Sequence, residues 1–266
     1  MPHDSSPAHG RKVPPVTVAF WVVKILATTL GETAGDALSM TLNLGYAVSS
    51  VVFVALFVVA VWAQVRARRL HPLLYWTVIV ATTTAGTTMA DFADRSLGIG
   101  YVGGSLLLLV LVLLVLLAWW RTEGSVSVDD IRRPRVEVFY WATILASNTL
   151  GTALGDFLAD SSGLGYRGGA LVFCAALALV AVVWRFTSVS RSLVFWAAFI
   201  LTRPLGATLG DILTKPTSTG GLNLGRFGSS AVLLVCMVAC VLLTPQRYGG
   251  EARRDVPEEG VPSSGR

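Results

Sequence analysis

Residues 21–46 read WVVKILATTLGETAGDALSMTLNLGY, and the same frame returns three more times along the chain. Counting from the tryptophan, a glycine follows at ten residues and an aspartate at fifteen: Trp21–Gly31–Asp36, Trp76–Gly86–Asp91, Trp141–Gly151–Asp156 and Trp196–Gly206–Asp211. Twenty-four residues on, Gly45, Gly100 and Gly165 are each followed by tyrosine. In the fourth copy the matching pair is Gly225–Arg226, displaced by a five-residue insertion within KPTSTGGLNLG. Self-similarity at a fixed period marks a repeat architecture, in which each copy is one supersecondary unit.

Each copy holds two apolar segments, over approximately 17–37, 46–65, 73–93, 101–120, 137–157, 166–186, 193–213 and 227–244. The chain is 53% hydrophobic and only 14% charged. A soluble domain carries about 25% charged residues, so lipid is the expected solvent. Segments of this length suit a hydrocarbon core about 30 Å thick. The fold class that follows is an all-α integral membrane protein with eight transmembrane helices. An even number of spans per copy makes all four copies point the same way, giving pseudo-symmetry about the membrane normal rather than an inverted repeat. Polar tails at 1–16 and 245–266 flank the helical domain and are expected to be disordered, and residues 122–135 form the one long linker.

The net charge of +5 is explained by topology rather than by nucleic-acid binding. Fifteen basic residues fall on the side that holds both termini, against Arg95, Arg167, Lys215 and Arg226 on the other. The positive-inside rule then puts both termini in the cytoplasm, for a chain expected in a bacterial plasma membrane. All eight tryptophans sit at the cytoplasmic ends of segments, as an aromatic belt would, with Tyr46, Tyr101 and Tyr166 at the outer interface. Cys174, Cys236 and Cys240 lie inside apolar segments and read as packing residues.

The four tryptophan-headed copies, over residues 17–244, resemble a group of bacterial membrane proteins built of four tandem repeats of unknown function. Each repeat of that group has two transmembrane regions and a characteristic tryptophan, matched here by Trp21, Trp76, Trp141 and Trp196. The resemblance implies the architecture and brings no chemistry with it.

Chemistry is expected on the odd-numbered helices. At 1.5 Å per residue each repeat aspartate lies about 22 Å past its tryptophan, in the outer half of the bilayer. An ionised aspartate at a helix centre costs roughly 2.5–3.5 kcal/mol on insertion scales, so four at one depth call for a role. Asp36, Asp91, Asp156 and Asp211 are therefore the candidate ion-binding and metal-ligating residues. Glu32, Thr87 and Thr152 share their helical face, four residues earlier. Hard cations prefer such oxygen donors. The alternative is that the acids cap turns or reach the headgroups, and that the threonines bond helix backbone.

Small residues four apart, such as Gly31/Gly35 and Gly206/Gly210, predict close helix packing, matched by Ser49, Gly104, Gly169 and Ser229 on the even helices. Three charges break the pattern. Lys24 is expected to snorkel to the cytoplasmic side. Arg203, beside the helix-kinking Pro204, needs a buried partner, either Glu32 or a repeat aspartate. His3, His9 and His71 lie outside the apolar segments, so no histidine site is expected within them. The sequence shows no phosphate-binding loop.

These residues read as a small secondary transporter or exporter of a cation, most plausibly divalent, and not as an enzyme; no cofactor is expected. Its expected partners are the bilayer, a cation ligand and further copies of the chain. The rival readings are a non-transporting membrane scaffold and a passive channel or permease for a polar solute.

Overall fold

The computed structural model describes residues 13–67, 70–128, 131 and 133–244. The basic residues counted at 1–12, 245–266, Arg68, Arg69 and Arg132, together with His3 and His9, lie outside them. Among the described residues there are eight long helices: α1 (Val18–Asp36), α2 (Gly45–Arg66), α3 (Pro72–Asp91), α4 (Gly100–Glu123), α5 (Pro134–Asp156), α6 (Gly165–Phe186), α7 (Arg191–Thr214) and α8 (Arg226–Leu243). These bounds follow the apolar segments within a few residues. Local chemistry sets several ends. The Thr17 hydroxyl accepts from the Phe20 N–H, and prolines open α3 and α5, where a missing N–H costs nothing.

Six of the eight are long and apolar enough to cross a membrane, α3 and α5 being the exceptions. Their place in the fold accounts for that. Helices α1, α3, α5 and α7 form an inner ring in which each packs on the next and α7 closes on α1. A helix that faces its neighbours can carry buried polar residues; α3 and α5 do so with Thr82, Thr83, Thr84, Thr87, Ser147 and Asn148. The even helices lie outside the ring and turn apolar side chains outward, Val51 at 71% exposure and Val235 at 68% among them.

Each even helix packs mainly on the odd helix of the following repeat: α2 on α3, α4 on α5, α6 on α7, and α8 back on α1. A repeat is therefore not a self-contained hairpin. The glycine ten past each tryptophan makes the ring close-packed. A Cβ on Gly31 would strike Thr83, one on Gly86 the backbone at Asn148–Thr149, one on Gly151 Arg203 and Pro204, and one on Gly206 Thr28. The partner is each time at or next to the residue seven past the next tryptophan. The small residues expected on the even helices, Ser49, Gly104, Gly169 and Ser229, are all buried.

After the aspartate, each of the first three copies adds a π-helical turn, at Ala37–Thr41, Phe92–Ser96 and Phe157–Ser161. Two left-handed residues then reverse the chain, Asn43 (φ 54°) and Gly45 (φ 75°) in the first copy. The fourth copy lacks the π turn but keeps the pair as Asn223 and Gly225. Its insertion supplies other bonds: the N–H groups of Leu222 and Leu224 donate to the Ile212 and Leu213 carbonyls at 2.7 and 2.9 Å.

Two expectations need correction at the tryptophan end. The repeat tryptophans are not a uniform lipid-facing belt, since Trp76, Trp141 and Trp196 are buried with Trp119. With Phe20, Tyr75, Tyr140, Phe195 and Phe199 they form an aromatic collar inside the ring. Their position at helix ends is what a belt predicts, but they are buried against other aromatic rings. Trp62, Trp120 and Trp184 on the even helices are the outward-facing ones. Residues 13–16, assigned to the tail, include Val13, which is buried in this core. The described residues of the linker are docked. Val128 and Ile131 join the core, the Trp196 indole N–H donates to the Val126 carbonyl at 3.0 Å, and Glu123 pairs with Arg133 at 2.7 Å.

Candidate ion site on the ring axis

Because the ring helices are parallel repeats in register, residues at similar offsets from the tryptophan lie at similar depth, and long side chains join neighbouring offsets into layers. Above the collar the first polar layer holds Lys24, Asn148 and Thr82. The Lys24 ammonium donates to Asn148 Oδ1 at 3.4 Å and sits 4.0 Å from the centroid of the Phe199 ring. Asn148 Nδ2 donates to Thr82 at 2.8 Å. Lys24 on α1 thus reaches the opposite helix, α5, and is wholly buried. It does not snorkel to the surface. Its side chain projects towards the axis, so its short distance from the helix end gives it no path to water.

The next layer is centred on Arg203, which is also wholly buried. Its Nη2 lies 3.0 Å from Glu32 Oε2, 2.5 Å from Thr87 Oγ1, 2.7 Å from Thr152 Oγ1 and 3.4 Å from the Thr83 carbonyl. One guanidinium nitrogen therefore touches all three other ring helices. Of the two partners the sequence offered for Arg203, the structure selects Glu32. Thr87, which also donates to Glu32 at 3.2 Å, and Thr152 are brought to the same point.

The four repeat aspartates form the third layer, and all are buried. They are held by basic residues from the turns above. Arg95 bridges Asp91 at 2.9 Å and Asp156 at 3.2 Å. Lys215 bridges Asp211 and Asp36, each at 3.2 Å, and Arg226 adds a contact to Asp36 at 3.4 Å. Burial opposes the charge on Lys215, but the Asp211 and Asp36 carboxylates outweigh it and raise its pKa above the usual lysine value. Sequence reasoning counted Arg95, Lys215 and Arg226 only as topology markers. A usable signal was present: Arg95 and Lys215 stand four residues past Asp91 and Asp211, the spacing at which helical side chains meet.

Among the described residues, Glu32, Asp156 and Asp211 are the carboxylates that converge as a group of three. One oxygen from each lies within 4.8 Å of the others. The donor set is oxygen only and suits a hard cation. Around the rim, Tyr101 and Tyr166 donate to Asp160 at 3.2 and 3.4 Å.

The chain matches the family described as Repeat of Unknown Function (DUF347) at residues 19–70, 74–125, 139–190 and 194–244, one match per copy. It belongs to this repeat family. No curated protein and no solved structure matches it.

Proposed function

We propose that this repeat protein spans the membrane eight times and moves a cation along the axis of its inner ring, through a site built by Glu32, Asp156 and Asp211. The observation that carries the reading is the convergence of three buried carboxylates within 4.8 Å. Ionised acids at that depth are costly and mark ion pathways by default. The charge balance supports the same reading. The four aspartates face three basic side chains, Arg95, Lys215 and Arg226, so the layer is one positive charge short. Lys215, on a flexible stem, is the tethered cation that a divalent ion entering from the aspartate end would displace.

One feature favours the scaffold reading instead. Each repeat aspartate already has a basic partner, as a purely structural network would. The two readings separate by calorimetric titration of purified protein with Mn²⁺, Mg²⁺, Ca²⁺ and Zn²⁺, followed by flux into liposomes. Transport predicts saturable binding by the wild type, weakened by at least about tenfold in Asp156→Asn and Asp211→Asn through loss of a charged ligand. Folded wild type that neither binds nor moves any cation would leave the carboxylates as scaffold.

A further inference from the structure

We infer that the two polar layers next to the aromatic collar form a second site, on the collar side of the aspartates, and that it takes a small monovalent anion between Lys24 and Arg203. The inference stands on a donor surplus at Lys24 and Arg203; it meets the cation reading only at the Arg203–Glu32 pair, which none of the variants below alters.

Two basic side chains lie on the axis one helical turn apart, both with no exposed surface. An isolated buried charge is strongly disfavoured unless something of opposite sign meets it. Glu32 meets Arg203, but only through Nη2. Nε and Nη1 of the same guanidinium are buried without a hydrogen-bond partner. Lys24 has no carboxylate partner among the described residues. Its one acceptor is a neutral amide oxygen at 3.4 Å, and an ammonium has three donors to place.

The surrounding hydroxyls do not meet this demand. Thr28 points at the carbonyls of Lys24 and Ile25, Thr83 at that of Ala27, Ser147 at that of Ile144 and Thr202 at that of Phe199. Those oxygens spend their hydrogens on helix backbone. The two layers together therefore offer two basic side chains and several open N–H groups, and their one carboxylate, Glu32, is already taken by Arg203 Nη2. That is the chemistry of an anion site. The aspartate layer is short of positive charge, while these two are short of negative charge. With the Phe199 ring 4.0 Å from the Lys24 ammonium, the guest that suits the site is a small, weakly hydrated ion such as chloride or nitrate.

The test is equilibrium binding of chloride and nitrate to purified wild type in gluconate buffer without added metal, read by calorimetry. Three variants are compared: Lys24→Met, Lys24→Arg and Asn148→Asp. Wild type is expected to bind saturably. Lys24→Met should weaken binding by at least about tenfold, the usual effect of losing a charged donor, while Lys24→Arg stays within a few-fold. Asn148→Asp supplies an internal carboxylate at the Lys24 ammonium and should abolish binding while deleting no side chain. It keeps the inference testable if Lys24→Met fails to fold. Absence of saturable binding by folded wild type would overturn the site, as would unchanged affinity in Asn148→Asp. Neither result bears on cation binding, which the Asp156→Asn and Asp211→Asn titrations read separately.

Discussion

At the scale of residues, the frame of tryptophan, glycine and aspartate carries most of what could be read in advance. It placed Asp36, Asp91, Asp156 and Asp211 at one depth and named Arg203 as a buried charge in need of a partner. It misplaced Lys24, because depth along a helix says nothing about which side of the helix faces the axis. The glycines give the sharpest test of the packing. On Gly206 a new Cβ would meet the Thr28 side chain and lie 2.9 Å from its backbone carbonyl carbon, with no room to give. On Gly228, on the outer helix α8, the same Cβ would meet nothing within 4 Å. Gly206→Ala should cost about 1–3 kcal/mol through overpacking, whereas Gly228→Ala should be neutral or gain up to about 1 kcal/mol from helix propensity. Thermal unfolding in detergent compares the two, and equal shifts would deny the close approach of α7 to α1.

At the scale of elements, hydropathy located every helix but could not assign partners. The two apolar segments of a copy are joined by a short turn, yet α2 leaves α1 and packs on α3. The π turns after the aspartates were also illegible, since no residue type demands them. They are nonetheless where a functional helix irregularity is common. The linker 122–135 was visible as polar sequence, but its apolar Val126, Val128 and Ile131 were not weighed. Ile131 is 2% exposed in the collar core. A carboxylate there would be buried without a partner, so Ile131→Asp should destabilise the fold by about 2–4 kcal/mol and release the linker. Faster protease cleavage within 122–135, with a red shift of tryptophan emission, is the expected readout. A linker cut no faster than in wild type would mean that it is not held by this contact.

At the scale of the whole molecule, the helix exchange between neighbouring repeats makes the ring a single unit despite its fourfold sequence. Dividing the chain after Gly124 separates α1–α4 from α5–α8 and leaves the docked linker with the second half. The cut parts α3 from α5, α4 from α5, α7 from α1 and α8 from α1. It also parts Arg203 from Glu32, Thr87 and the Thr83 carbonyl, and Lys24 from Asn148. Breaking a buried ion pair alone costs about 3–5 kcal/mol, a large share of a domain's stability. Each half expressed alone should therefore be degraded or aggregate. Co-expressed from separate reading frames, the halves regain every one of these contacts, because only the linker backbone has been cut. A tag on one half should then recover both in equal amounts. Arg203→Leu in the second half removes the partner of Glu32 and should lower that recovery, and Glu32→Leu in the first half should partly restore it by removing the stranded carboxylate. Either half persisting alone as a monodisperse species would show that the closed ring of four helices is not what holds the chain together.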